Sequence, residues 1–316
     1  MIDTALPKTQ TLRRPGTLLL AAYVVLYGAT LFGMNRAWNF DVTEPLFILA
    51  ILGIGFSLAA WLLTLGSRPL PYEVRNPGRE LGFLAIYLIP LTAYITWAGT
   101  AIRKYVPADP AQAFVILGAK LLFFVVIPGW MMCALFGYTV RDLVPTSLRR
   151  RDVITLAGMA VLLIGFQAVL GRGLRDILQA HVPASMLFLG LPIAFVWLAV
   201  EAGVVEEFFF RVLLQSRLAA ATGSELAGIV LMAVLFGLAH APGLYLRTGI
   251  TQEGLPAHPP LLMAVGYSII ITSVAGFFLG VLWTRTRNFI LIVLVHAAAD
   301  LLPDFLPTLH SLRLLR

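Results

Sequence analysis

Charged residues are scarce in this 316-residue sequence: Asp, Glu, Lys and Arg make up 12%, whereas hydrophobic residues make up 59%. Soluble domains carry about 25% charged and roughly 45–50% apolar residues. The composition therefore excludes a soluble domain, and the mean hydropathy of +0.88 indicates an integral membrane protein. The short alternating segments typical of an outer-membrane barrel are also missing. Helices remain as the way to satisfy the backbone in lipid.

Cysteine is almost absent. Cys133 is the only one, so a disulfide framework is excluded, and its position in the run MMCALFG indicates a small buried apolar residue. The net charge of +7 could suggest a nucleic-acid partner. However, the arginines stand at the ends of apolar runs, where they orient membrane proteins. We therefore expect a lipid bilayer as the environment and no nucleic acid as a partner.

Long apolar segments recur along the whole chain and predict an all-α, polytopic transmembrane bundle of eight or nine helices. The segments cover about 17–34, 45–66, 81–101, 112–137, 153–170, 185–216, 225–245, 261–284 and 288–306. The first is expected to be a retained helix, because no small-residue cleavage pattern follows it. The sixth is longer than one crossing requires. The last contains Pro303 and Pro307 and is expected to break near its end.

Lys and Arg concentrate in the N-terminal segment and in the even-numbered loops. This asymmetry predicts a cytoplasmic N-terminus. We expect the protein in the inner (cytoplasmic) membrane of a bacterium. The strongest marker is the loop RDLVPTSLRRRD, residues 141–152. This loop also divides the chain into a four-helix membrane region of unknown role, residues 1–150, and a second membrane domain, residues 151–316. The loop TGITQEGLPAHPP, residues 248–260, is expected to face outward.

Several ionisable residues lie inside apolar segments, where such residues usually face a bundle interior and carry function. They are Glu206, Glu207, Arg211, His240, His296 and Asp300. On an α-helix Glu207 and Arg211 share a face and should form an ion pair, whereas Glu206 points elsewhere. His296 and Asp300 also share a face. Counted from the cytoplasmic helix ends at 1.5 Å per residue, the groups fall in one layer at about 14–22 Å.

A carboxylate beside a neutral histidine can activate water, and a second histidine can donate to the oxyanion that forms. These residues therefore suit the attack of water on an amide or ester, in a cavity expected to be reached from the cytoplasmic half. Four alternatives stay open: a structural ion network, a zinc or manganese site, a transporter or proton relay, and a non-catalytic immunity or scaffold protein. The absence of an HExxH pair disfavours the metal site. The absence of an inverted repeat disfavours the transporter.

Three motifs occur in order along the second half of the chain: EEFFFR at Glu206–Arg211, FGLAH at Phe236–His240 and HAAAD at His296–Asp300. They match the patterns EExxxR, FxxxH and HxxxN/D. Over about residues 185–303 the chain therefore resembles the family of CAAX prenyl proteases and bacteriocin-processing enzymes, also called Abi proteins. This resemblance implies a glutamate-dependent intramembrane endopeptidase that acts on a peptide or protein substrate. The substrate stays open between a lipidated tail, a leader peptide and the membrane helix of a partner. We expect no cofactor, with a catalytic divalent metal as the alternative.

The resemblance also implies roles for individual residues. The implied catalytic residues are Glu206, His240, His296 and Asp300. The implied supporting residues are Glu207, Arg211 and Phe236. The pair Glu206 and His240 would activate water, and His296 with Asp300 would line the oxyanion site. Asp300 stands where the prenyl-protease branch often has asparagine, and an ionised carboxylate repels an oxyanion. Asp300 would therefore be protonated, orient His296 or bind a cation.

Overall fold

The computed structural model describes residues 14–107, 110–246 and 254–315. Within these ranges the regular structure is helical and contains no strand, which confirms the predicted all-α class. Eight helical spans are long and apolar enough to cross a membrane, and the last two helices add a ninth if that bent pair counts as one span. The protein is a polytopic helical membrane protein, as its composition predicted.

The spans follow one another with short connections. The eight spans are α1 (Pro15–Trp38), α2 (Thr43–Leu63), α3 (Pro77–Tyr105), α4 (Pro110–Phe136), α5 (Arg150–Val169), α6 (Ala184–Thr222), α7 (Glu225–Leu246) and α8 (Leu261–Thr286). The chain continues with α9 (Phe289–Asp300) and α10 (Phe305–Ser311), which are bent by 94° relative to each other. At 39 residues α6 is longer than one crossing needs, as predicted. The expected break in the last segment lies directly after Asp300.

The helix α6 is not a regular α-helix. It contains two π-helical stretches, Ala199–Val204 and Glu207–Gln215. In a π-helix the backbone hydrogen bonds join residues five apart instead of four. Glu206 lies between these stretches. The α-helix predicted from the sequence for Glu206–Arg211 is therefore wrong for this segment, although the ion pair expected from it is present. Single π-helical turns often mark functional sites, because they shift the direction in which side chains leave the helix.

The predicted N-terminal and C-terminal regions share one apolar core. Leu84 and Met132 from the first region belong to the same buried cluster as Phe209 from the second. A buried ion pair also joins the regions, because Nε of Arg217 lies 2.8 Å from Oε2 of Glu80 and neither side chain is exposed. The division near residue 150 remains a prediction. In the structure the first region is packed directly against the helix that carries the two adjacent glutamates.

One end of the bundle is tied together by hydrogen bonds between its loops. We call this end the basic face, and it comprises residues 64–76, 137–149, 223–224 and 287–288. The backbone N–H of Leu70 donates to the carbonyl of Thr286 over 2.9 Å. The N–H of Phe289 donates to the carbonyl of Pro145 over 2.8 Å. The loops that connect different spans therefore form one continuous layer at this end.

The opposite end carries the other loops, because successive spans cross in alternating directions. We call this end the cavity face, and it comprises residues 39–42, 106–107, 170–183 and 254–260. Here Gly254 lies against the ring of Phe40. The helix α10 packs beside the start of α6 and beside the short helix Gly173–Gln179. Of the loop predicted to face outward, residues 248–253 lie outside the described residues, and the rest lies at this face.

Candidate active site

The ionisable residues of the spans surround one internal space. Glu206, His240, His296 and Asp300 all line a cavity of about 550 Å³. A second space of about 550 Å³ is also lined by Glu206, His240 and Asp300, but not by His296. The two spaces therefore meet at these side chains, and we call them the first and second lobes of the cavity. The structure thus brings together the four residues that the motifs predict to be catalytic.

The two adjacent glutamates of α6 have different surroundings. The side chain of Glu206 is 18% exposed and faces the cavity. Glu207 is fully buried, and its Oε2 lies 3.4 Å from Nε of the equally buried Arg211, which is the ion pair predicted from the sequence. The Arg211 guanidinium also lies 4.6 Å from the centre of the Phe236 ring. The carboxylate and the ring face together stabilise a cation that water does not reach.

His296 lies among three carboxylates. Its Nδ1 is 2.6 Å from Oε1 of Glu207, and its Nε2 is 3.2 Å from Oδ2 of Asp300 and 3.9 Å from Oε2 of Glu206. An ionised carboxylate can only accept hydrogen bonds, so both ring nitrogens donate unless one carboxyl group holds the shared proton. This arrangement fixes the ring orientation from both sides. Across the described ranges, no three His, Cys, Asp or Glu residues are arranged to hold a metal ion.

His240 is oriented by its own helix. Its Nδ1 lies 2.8 Å from the carbonyl oxygen of Phe236, which accepts hydrogen bonds only. In the neutral ring Nδ1 therefore carries the hydrogen, and Nε2 is left as an acceptor. The rings of Phe236 and His240 lie 4.9 Å apart between their centres. Phe236 thus contacts both His240 and Arg211, which agrees with the supporting position that its motif implies.

Sequence reasoning missed an ion pair inside the cavity. Lys120 from α4 bonds to Glu201 from α6, and both side chains line the first lobe together with Asp304. A lone lysine within an apolar segment carries the same signal that singled out Glu206, namely an ionisable group at membrane depth. Lys120 also shows that the N-terminal region contributes directly to the wall of the site.

The contact between Glu207 and His296 could not be predicted from the local sequence. The two residues are separated by 89 positions along the chain, so no helical spacing relates them. The sequence predicted that both residues lie at a similar depth. It did not predict that the buried Glu207 accepts a hydrogen bond from His296 while the partly exposed Glu206 faces the cavity.

A bundle of membrane helices that encloses clustered glutamate, histidine and aspartate side chains defines an integral membrane protein with a buried polar site. Residues 188–302 match the family model described as type II CAAX prenyl endopeptidase, Rce1-like. The matched range runs from α6 to the break after α9 and contains all three motifs. The resemblance stated from the motifs is therefore confirmed, and at family level this part of the chain is similar to an endopeptidase. No curated protein and no solved structure matches the chain.

Proposed function

We propose that this protein is an intramembrane endopeptidase that hydrolyses a peptide bond with water activated by Glu206 and His240. One observation carries the proposal: within the range that matches the endopeptidase family, Glu206 presents its carboxylate to a cavity that His240, His296 and Asp300 also line. An ionisable group at membrane depth marks function by default. In this cavity a base, an acceptor nitrogen and a donor nitrogen lie around one space.

The proposed reaction uses each group in a single role. Glu206 removes a proton from water as the oxygen attacks the carbonyl carbon, and Nε2 of His240 accepts the second hydrogen of that water in a hydrogen bond. The tetrahedral intermediate carries its negative charge on the former carbonyl oxygen. The hydrogen on Nε2 of His296, which Asp300 accepts over 3.2 Å in the free protein, is shared with that oxyanion. When the intermediate collapses, the C–N bond breaks, and the amine leaves with the proton held by Glu206.

Glu207 and Arg211 act in this scheme through His296. The short bond from Glu207 to Nδ1 keeps a hydrogen on that nitrogen and holds the plane of the ring. Arg211 balances the charge of Glu207 where water does not reach either side chain. Both residues are therefore positioning residues rather than groups that touch the substrate.

Asp300 is proposed to orient His296 rather than to bind the oxyanion itself, because its Oδ2 lies 3.2 Å from Nε2 of His296. The Asp300→Asn enzyme should keep kcat/KM within about tenfold of wild type, since the amide oxygen still accepts that bond. The Asp300→Ala enzyme should lose about 10- to 100-fold, as expected for a hydrogen bond of about 1.5–3 kcal/mol to a charged group. An equal loss in both variants would instead indicate an ionised carboxylate that holds a cation.

The proposed substrate is a peptide or protein segment that enters the membrane, either lipidated or embedded. Away from the residues shared with the first lobe, the second lobe is lined by uncharged side chains, including Tyr94, Phe124, Phe210 and Ile271. An apolar stretch of the substrate fits there, beside the scissile bond. We place the protein in the inner membrane of a bacterium with its N-terminus in the cytoplasm, in agreement with the distribution of arginines.

The activity can be tested before any substrate is identified. Membranes of the native host are compared with and without the chain, and protein termini are identified by mass spectrometry. A peptidase should produce a small set of termini that disappear when the chain is absent. Unchanged termini under conditions where the absence has a phenotype would contradict the proposal. Ion flux in reconstituted vesicles would then identify a transporter. The absence of both changed termini and ion flux would favour a scaffold.

A further inference from the structure

The end of the bundle at which the cavity opens is the face without the arginine-rich loops. We propose that the candidate site is entered from the extracytoplasmic side of the membrane and receives segments of exported or membrane-anchored proteins from there. The assignment of the opening rests on the cavity walls and on the charge distribution. The assignment of the substrate class rests in addition on the proposed peptidase function.

The mouth of the cavity is formed by residues at the cavity face or in the helix ends next to it. The second lobe reaches Leu255 and Pro256 in the loop before α8, and it reaches Arg103 in the last turn of α3. The first lobe reaches Ser311 at the end of α10 and Ala113 near the start of α4. Among the described residues, none that lines either lobe belongs to the basic face. Both lobes therefore extend from the catalytic candidates toward the same end of the bundle.

The path from the site to the basic face is filled. Trp283, Arg217 and Gln215 are fully buried between the site and the loops of the basic face. Nε2 of Gln215 donates to the carbonyl of Gly280 over 2.9 Å, which links α6 to α8. The indole N–H of Trp283 donates to the hydroxyl of Ser216 over 3.0 Å. A substrate segment cannot pass this layer unless the packed side chains separate.

The charge distribution assigns the two faces to the two sides of the membrane. The loop with Arg141, Arg149, Arg150 and Arg151 lies at or next to the basic face. Short loops rich in Lys and Arg remain in the cytoplasm. The basic face is therefore cytoplasmic, and the cavity opens to the outside. We therefore replace the expectation of entry from the cytoplasmic half, because equal depth of the catalytic candidates does not determine which end is open.

This orientation restricts the substrate class. A lipidated tail in the cytoplasmic leaflet would meet the closed layer around Trp283, whereas a chain on the outer surface meets the open lobes. The part of the second lobe that it does not share with the first lobe is lined by uncharged side chains, and it fits apolar residues or a lipid chain at the outer leaflet. The first lobe, with Asp304 and the Lys120–Glu201 pair, fits the polar continuation of the same chain. The products would be released on the outer side.

The opening can be tested by thiol labelling of the full-length protein expressed in bacterial cells. In a Cys133→Ser background, single cysteines are introduced as Ser311→Cys or Pro256→Cys at the mouth, and as Leu148→Cys on the basic face. Leu148 is 72% exposed, so its cysteine serves as the matched control. A membrane-impermeant maleimide is applied to intact spheroplasts, to permeabilised cells and to inverted vesicles, and the labelled fraction is measured by mass spectrometry.

The two mouth cysteines should be labelled in intact spheroplasts as fully as after permeabilisation. The Leu148→Cys protein should be labelled only after permeabilisation or in inverted vesicles. The reverse pattern would overturn the proposal, because it would place the mouth in the cytoplasm. Labelling does not depend on catalysis, so failure of the peptidase proposal leaves this result unaffected. If termini that depend on the chain occur only on cytoplasmic tails, the substrate assignment is overturned even when the peptidase proposal stands.

Discussion

The Glu206→Gln enzyme should lose about 10²- to 10⁴-fold in kcat/KM while its thermal stability stays close to that of wild type. The glutamine amide keeps the size of the side chain but cannot take a proton from water, and a positioned general base contributes about 10²- to 10⁴-fold. Stability should be preserved because Glu206 is partly exposed to the cavity, and its contact with His296 is long, at 3.9 Å. Loss of this carboxylate leaves no buried charge unpaired.

The measurement uses purified protein in liposomes and a peptide taken from the termini that depend on the chain. The control is Glu225→Gln, which removes a carboxylate outside the cavity, next to the basic face. Oε1 of Glu225 lies 2.5 Å from Arg287, and the Glu225 side chain is 51% exposed. The control should retain wild-type kcat/KM, since Glu225 lines neither lobe of the cavity. If Glu206→Gln stays within tenfold of the control, Glu206 is not the base.

The Arg211→Met protein should be destabilised by about 3–5 kcal/mol, because the change leaves the carboxylate of Glu207 buried without its cation. Both side chains have no exposed surface, so water cannot replace the lost partner. Thermal unfolding in detergent, with wild type as the reference, measures this effect. A melting temperature equal to that of wild type would show that the ion pair does not stabilise the fold.

The double variant Glu207→Gln with Arg211→Met separates stability from catalysis. It removes both buried charges, so most of the lost stability should return. Activity should stay at least about tenfold below wild type, because His296 then lacks the charged partner at Nδ1, and a hydrogen bond to a charged group contributes about 1.5–3 kcal/mol. Recovery of both stability and activity would assign the pair a structural role only.

The helices could be predicted from the sequence because apolar runs of about 20 residues have the length that a membrane crossing requires. The contact between His296 and Asp300 could also be predicted, since four residues make about one turn in the α-helical segment that carries them. The geometry around Glu206 could not be predicted, because neither composition nor periodicity distinguishes a π-helical stretch from an α-helix. The bonds from Glu207 to His296 and from Lys120 to Glu201 depend on the packing of distant helices.

Which end of the cavity is open could likewise not be predicted from the sequence. The count of residues along α6, α7 and α9 predicts how deep the ionisable groups lie, and it treats both ends of the bundle alike. The two ends differ in their loops and in the side chains behind them. Trp283 and Arg217 fill one end, whereas among the described residues of the other end Leu255 and Pro256 line the cavity and leave it open. Their arrangement depends on contacts between loops that are far apart in sequence.

The π-helical stretch Glu207–Gln215 makes the length of this segment as important as its composition. In a helix each residue adds a fixed rotation about the axis, so the removal of one residue here would turn everything before it relative to everything after it. Glu206 would then swing away from the cavity even if every remaining side chain were unchanged. Insertions and deletions, which surface loops tolerate, are therefore excluded from this segment, while many of its apolar residues can be exchanged for others of similar volume.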